Sequence, residues 1–157
     1  MPGYKGEKAV RFMIQVRANK DMEAGLFPPN AKEMFEAMDR FNQELVRDGW
    51  MLAGDGLHPS SKGARIRWTE GKPRVIDGPF AEAKELIAGY WVVKADSREA
   101  VIERFKRCPP PADLSEGEIE IRQIYDPSDF PSEAISPEIR AREEQWIAEQ
   151  EKNAPKA

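Results

Sequence analysis

One cysteine and one histidine among 157 residues remove several classes of function at once. Cys108 has no partner for an intrachain disulfide, so the chain reads as a protein of a reducing compartment, with the cytoplasm as its expected location. With His58 as the sole imidazole there is no zinc ligand set, and neither a metal nor any other cofactor is expected. Long apolar runs are missing as well. The stretch 10–16 alternates instead of running apolar, so neither a secretory h-region nor a membrane span is expected. Cationic excess is also absent: 24 Lys and Arg against 28 Asp and Glu give a net charge of −4. Binding to a phosphate backbone is driven by clustered cations that release counterions, so nucleic acid is not an expected partner. No internal repeat or low-complexity run is present.

What remains is an ordinary globular composition, 40% hydrophobic and 33% charged. A chain of this length buries roughly 70% of its unfolded surface in a single core. Val10, Phe12, Ile14 and Val16 alternate with Arg11, Met13, Gln15 and Arg17, the period of two of a half-buried strand. Pro28-Pro29 interrupts, and Asn30 with Glu33 has the spacing of a capping box. Met34, Phe35, Met38, Phe41, Leu45 and Val46 recur at helical spacing up to Gly49, placed as the residue beyond the helix end. A second strand is expected over 50–54, a hairpin over 64–69 and 73–76 about Glu70-Gly71-Lys72, and a third core strand over 90–95. Asp96-Ser97 caps a helix whose buried stripe is Val101, Ile102, Phe105 and Cys108, ended by Pro109 to Pro111. A last strand over 118–125 completes the set.

The order strand, helix, strand, hairpin, strand, helix, strand specifies an α+β, ferredoxin-like βαββαβ fold with an added hairpin. Its antiparallel sheet carries helices on one face only. The other face would present Met13, Gln15, Tyr90, Val92, Glu120 and Arg122, and a semi-polar face of that size is most simply closed by a second copy, so a homodimer is expected. Residues 1–9 read as an extension, 10–125 as the domain and 126–157 as a second extension. In the latter, Ser136-Pro137-Glu138 opens a helix running to about residue 150. That helix has three options, to dock on its own domain, to reach over the partner subunit or to stay mobile; docking is expected, since an exposed Trp146 is unfavourable.

The densest grouping of turn chemistry and ionisable groups is Asp77-Gly78-Pro79-Phe80, then Glu82, Lys84-Glu85 and Gly89-Tyr90. Together with Glu120-x-Arg122, Gly54 and Leu57, it resembles the YCII-related family, in its DGPF-motif branch, over roughly 10–125. The resemblance implies a dimeric α/β barrel, in which two ferredoxin-like subunits press their open faces together around a cavity. It also implies an uncharacterised activity, suspected to be enzymatic from a His and Asp pair in smaller relatives. The helix where those relatives carry the histidine offers Phe35, Met38 and Phe41 here, so that dyad does not transfer.

Two readings of Asp77 stand side by side. In one its carboxylate caps the next turn, Gly78 adopts a conformation barred to other residues and Phe80 anchors the chain in the core. In the other it is a general acid or base whose pKa is shifted by burial and by Lys84 or Arg122. Arg122 is the candidate anion clamp, or with Glu120 a structural salt bridge across the dimer; Glu120 and Tyr90 line the cavity, and Glu82, Lys84 and Glu85 are either further substrate-binding residues or a solvated charged turn. His58, in a Gly- and Ser-rich loop, is a minor acid/base candidate. The chain as a whole reads either as a dimer whose cavity binds or transforms a small organic molecule, or as a non-catalytic regulatory or protein-interaction module.

Overall fold

A strand with apolar residues on every second position needs one covered face, and here that strand lies inside the sheet. The computed structural model describes residues 8–110 and 117–157. Lys5 and Glu7 of the amino-terminal extension, and Pro111 of the triple proline, lie outside the described residues. β1 (Val10–Arg17) pairs antiparallel with β5 (Ile87–Ala95) on one side and β6 (Ile119–Gln123) on the other. β2 (Met51–Gly56) pairs antiparallel with β5, giving the order β2-β5-β1-β6. With α2 (Ala31–Arg47) after β1 and α3 (Arg98–Phe105) after β5, this is the ferredoxin-like arrangement.

The core lies between one sheet face and these two helices. Phe12 and Ile14 of β1, Trp91 and Val93 of β5, Phe41 and Leu45 of α2, and Val101 and Phe105 of α3 are all at most 5% exposed. The rings of Phe41, Trp91 and Phe105 meet edge-on, with centroids 5.3 to 6.0 Å apart, the geometry favoured by ring quadrupoles. The Trp91 indole N–H donates to Asn42 Oδ1 at 2.8 Å, which satisfies the one polar atom such a core indole carries.

β3 (Ala64–Thr69) and β4 (Lys72–Asp77) form a separate two-stranded sheet. Its turn residues, Glu70 and Gly71, have φ of 52° and 77°, the left-handed pair whose twist suits a two-residue hairpin. Gly49 likewise has φ 73° just beyond α2, as its position in the sequence predicts.

Two local expectations are corrected and one element is added. Asn30 is the N-cap of α2, but its side chain makes no capping bond, because its backbone (φ −96°, ψ 26°) is not extended; the capping box with Glu33 is therefore not built. Phe35 is 62% exposed. The inward stripe runs Met34, Met38, Phe41, Leu45, the methionines half-buried and the other two buried, and a residue one step on from Met34 turns about 100° away from it; Phe35 instead meets Phe27, with ring centroids 6.1 Å apart. A short helix, α1 (Lys20–Glu23), capped by the Asn19 side chain, follows β1 and was not anticipated.

The terminal helix α4 (Pro137–Lys152) begins at Ser136, whose hydroxyl accepts from the Ile139 N–H. Arg140 fastens it by donating to the carbonyls of Pro127 and Phe130 at 2.7 and 3.4 Å. It meets the sheet through polar contacts: Arg11 to Gln150 at 3.2 Å and Lys94 to Glu151 at 3.5 Å. No residue of α4 is buried, and Trp146 remains 58% exposed. The helix docks, but the contact does not hide the indole.

Candidate functional site

Side chains alternate along a strand, so cross-strand register alone decides which residues share the face turned away from α2 and α3. Gln15 stands opposite Tyr90 of β5 and Glu120 of β6, and Tyr90 stands opposite Asp55 of β2. Asp55, Tyr90, Gln15 and Glu120 thus form one polar row across all four strands. The neighbouring row is Ala53, Val92, Met13 and Arg122. Val92 is buried, Met13, Gln15, Tyr90 and Glu120 are half-buried, and Arg122 is exposed.

The row is chemically connected. The Tyr90 hydroxyl donates to Asp55 Oδ2 at 3.1 Å. That hydrogen bond, and then the negative charge of Asp55, raise the Tyr90 pKa above its ordinary value, since both favour the neutral phenol. At the other end, Arg17 grips Glu120 Oε1 at 2.8 Å, while Arg122 touches Glu120 Oε2 at 3.4 Å. Arg17 is 22% and Arg122 is 70% exposed at the side chain. One carboxylate therefore faces two guanidiniums, one tightly held and one loosely held.

The Asp77 segment lies elsewhere. Asp77 ends β4, opposite Ala64, and is exposed. Among the described residues no hydrogen bond or ion pair reaches its carboxylate, so neither the expected cap nor a pairing with Arg122 forms. Gly78 is needed for a different reason than the one expected. Its φ is unremarkable, but a Cβ there would lie 1.8 Å from the Ser60 carbonyl oxygen, so the requirement is space. Gly78 N–H donates to Gly63 O at 3.0 Å, and Phe80 N–H donates to Ser60 Oγ at 3.0 Å. Ser60 donates in turn from its N–H and its hydroxyl to Glu23 of α1 at 3.0 and 2.5 Å. Phe80 is half-buried beneath the Arg65 guanidinium, 3.8 Å from its ring centre, and is not part of the core. The segment is a clasp joining the hairpin base, the 60–62 turn and α1.

Glu82, Lys84 and Glu85 occupy the turn before β5 and are exposed, as is His58 after β2. Of the residues singled out in the sequence, the structure brings together Tyr90, Glu120 and Arg122. It adds Asp55, Gln15 and Arg17, which the sequence did not single out as site residues. Spacing by two along each strand, with the fold class, was the visible signal for the shared face; the register that sets which residues stand opposite one another was not visible. A separate concavity of about 280 Å³ opens where α4 meets the sheet, lined among others by Lys8, Arg11, Lys94, Asp126 and Glu151. Burial would raise the Asp126 carboxyl there, but hydrogen bonds from Ser128 and Lys8 outweigh it and hold it down at about 2. Among the described residues no cluster of three His, Cys, Asp or Glu is disposed to hold a metal ion, and no helix is long and apolar enough to cross a membrane.

Comparison with known proteins gives one broad match and two partial ones. The family model for the YCII-related domain matches residues 10–128. An uncharacterized protein of Rhizobium meliloti (strain 1021) is 35% identical over 78 residues, 48% of this chain and 62% of that protein; the match thus spans less than two thirds of that relative's length. The crystal structure of CutA1 from Oryza sativa aligns over 75% of this chain and 82% of its own, at 13% identity and a TM-score of 0.32.

Proposed function

Because the chain belongs to the YCII-related family, we propose that it is a small cytoplasmic protein of the DGPF-motif branch whose open sheet face, closed by a second copy, binds a small organic carboxylate. The observation that carries this reading is the polar row, with a loosely engaged cation at one end and a phenol–carboxylate pair at the other. Arg122 receives the ligand's carboxylate in a two-pronged contact, exchanging its 3.4 Å hold on Glu120 for a stronger one. Arg17 keeps Glu120 in place. Tyr90 and Asp55 contact the ligand's far end, and if the bound molecule is transformed, this pair is where a proton moves: Asp55 accepts and Tyr90 donates. Asp77 holds no ligand in this reading.

The test is a thermal-shift titration with aromatic and aliphatic monocarboxylates and their uncharged amides, with light scattering to count subunits. A saturable upward shift with the acids, absent with the amides and lost in Arg122→Ala, is the expected result. A second expectation is that Tyr90→Phe weakens binding without lowering the melting temperature of the free protein. No response to any acid at saturating concentration overturns the ligand reading and leaves the non-catalytic interaction module, which the exposed Trp68 and Trp146 favour.

A further inference from the structure

Two elements of this chain expose apolar residues that nothing among the described residues covers. On the hairpin, register places Ile66 opposite Val75 and Trp68 opposite Pro73 on one face. Ile66, Trp68 and Val75 are 56, 67 and 69% exposed. A two-stranded ribbon with a bare apolar face is not stable by itself in water. On α4, Ile139, Glu143 and Trp146 are spaced four and three and share a helix face; Ile139 is 42% and Trp146 58% exposed. Beside that face lies a shallow cleft of about 350 Å³ lined by Tyr125, Pro127, Glu143 and Trp146 among others.

The two elements attach at opposite ends of the sheet. The hairpin leaves the sheet where Gly56 of β2 and Gly89 of β5 pair, beside Val16 of β1. α4 contacts Arg11 and Lys94, which pair at the opposite end of the same strands. Eight residues of β1 separate the two ends by about 23 Å at ~3.3 Å per residue. α4 lies on the open face, because Arg11 and Lys94 alternate with the core residues Phe12 and Val93.

Charge divides the same way. Over 64–77 the cations Arg65, Arg67, Lys72 and Arg74 outnumber Glu70 and Asp77, whereas 126–157 carries eight carboxylates and four cations. Arg67, Lys72, Arg74 and Glu143 have no ion pair among the described residues. Two copies stacked with open faces together and strands running oppositely bring each cationic end over the other's anionic end; the parallel stacking brings like over like.

We propose that the occupant of each hairpin's apolar face is α4 of a second copy: Ile66, Trp68 and Val75 seat against Trp146, Ile139 and the Tyr125 cleft, and the contact is made twice about a two-fold axis. The polar row lies at the hairpin end of the sheet, so the partner's terminal helix roofs it and completes the site. This rests on the homodimer reading above and specifies its orientation and its contacts.

The experiment uses the full chain with Cys108→Ala as background. Trp68→Cys and Trp146→Cys variants are prepared separately, mixed in equal amounts and treated with a short bismaleimide. The expected result is a covalent dimer in the mixture and in the double variant, with little in either single variant alone. Removing the apolar face, Trp68→Ser with Val75→Ser, is expected to raise the dimer dissociation constant at least tenfold. A dimer by light scattering that gives no mixed cross-link, or that links Trp68→Cys chains to each other, overturns the hairpin-to-helix contact and leaves the dimer intact. A monomer at every concentration overturns both, and the carboxylate titration then reports on the ligand site independently.

Discussion

Replacing Gly78 by alanine tests whether the Asp77-Gly78-Pro79-Phe80 segment is a clasp. The added Cβ would sit 1.8 Å from the Ser60 carbonyl oxygen and 2.7 Å from its carbon. Both atoms are backbone, so no side chain can rotate away and the two loops must separate. Separation breaks the Gly78-to-Gly63 and Phe80-to-Ser60 hydrogen bonds and loosens the hold of Ser60 on Glu23. Two lost bonds at ~1 kcal/mol each, with partial loss of the third, total about 2.5 kcal/mol. At ~2–4 °C per kcal/mol for a chain of this size, the melting temperature should fall by roughly 5–10 °C. The main core is remote from the clasp, so part of the effect will appear as faster amide exchange in the hairpin and α1, and exchange should be measured beside the melt. Gly56→Ala is the control: an added Cβ there meets nothing within 4 Å, and the change should stay within about 0.5 kcal/mol. If Gly78→Ala matches the parent in both melting and hairpin exchange, the close-contact argument is wrong.

Three further outcomes are expected. Asn42→Ala strands the buried Trp91 indole N–H, which donates to Asn42 at 2.8 Å, and should destabilise the fold by about 1–3 kcal/mol in denaturant titration; an unchanged midpoint would show that water replaces the amide. Burial pushes the Cys108 thiol up to about 11, so native thiol modification at pH 8 should run roughly 100-fold slower than in the unfolded chain, and equal rates would show that the site is open. Asp126 has its folded pKa depressed to about 2 from 3.8. Its contribution is therefore full above pH 4 and is lost as the pH falls toward 2; after allowance for solvent screening it is at most about 1 kcal/mol. Asp126→Asn should flatten that part of the acid unfolding curve, and an unaltered curve would place the acid sensitivity elsewhere.

Much of the fold was legible because local rules act on neighbouring residues. Val10 to Val16 declared a strand, Met38, Phe41 and Leu45 a buried helical stripe, and Glu70-Gly71 a hairpin turn, each through a period or a backbone conformation that needs no knowledge of the rest of the chain. The failures have equally physical causes. Asn30 and Glu33 had the right spacing but not the extended backbone that lets a cap reach its N–H. Phe35 had the right polarity but stood one residue off the stripe. Gly78 was identified as necessary, yet for its dihedral freedom; what requires it is the Ser60 carbonyl, which approaches from a loop eighteen residues earlier in the chain.

By itself the sequence determined the core order of strand, helix, strand, hairpin, strand, helix, strand and the covering of one sheet face by α2 and α3, since each follows from residue type and short-range spacing. Only tertiary structure decided that Asp55, Tyr90, Gln15 and Glu120 share a row, that Asp77 stands apart from it, and that the hairpin and the terminal helix lie bare at opposite ends. Those facts are set by strand order and register, which arise when distant segments compete for the same core and are encoded by no single segment.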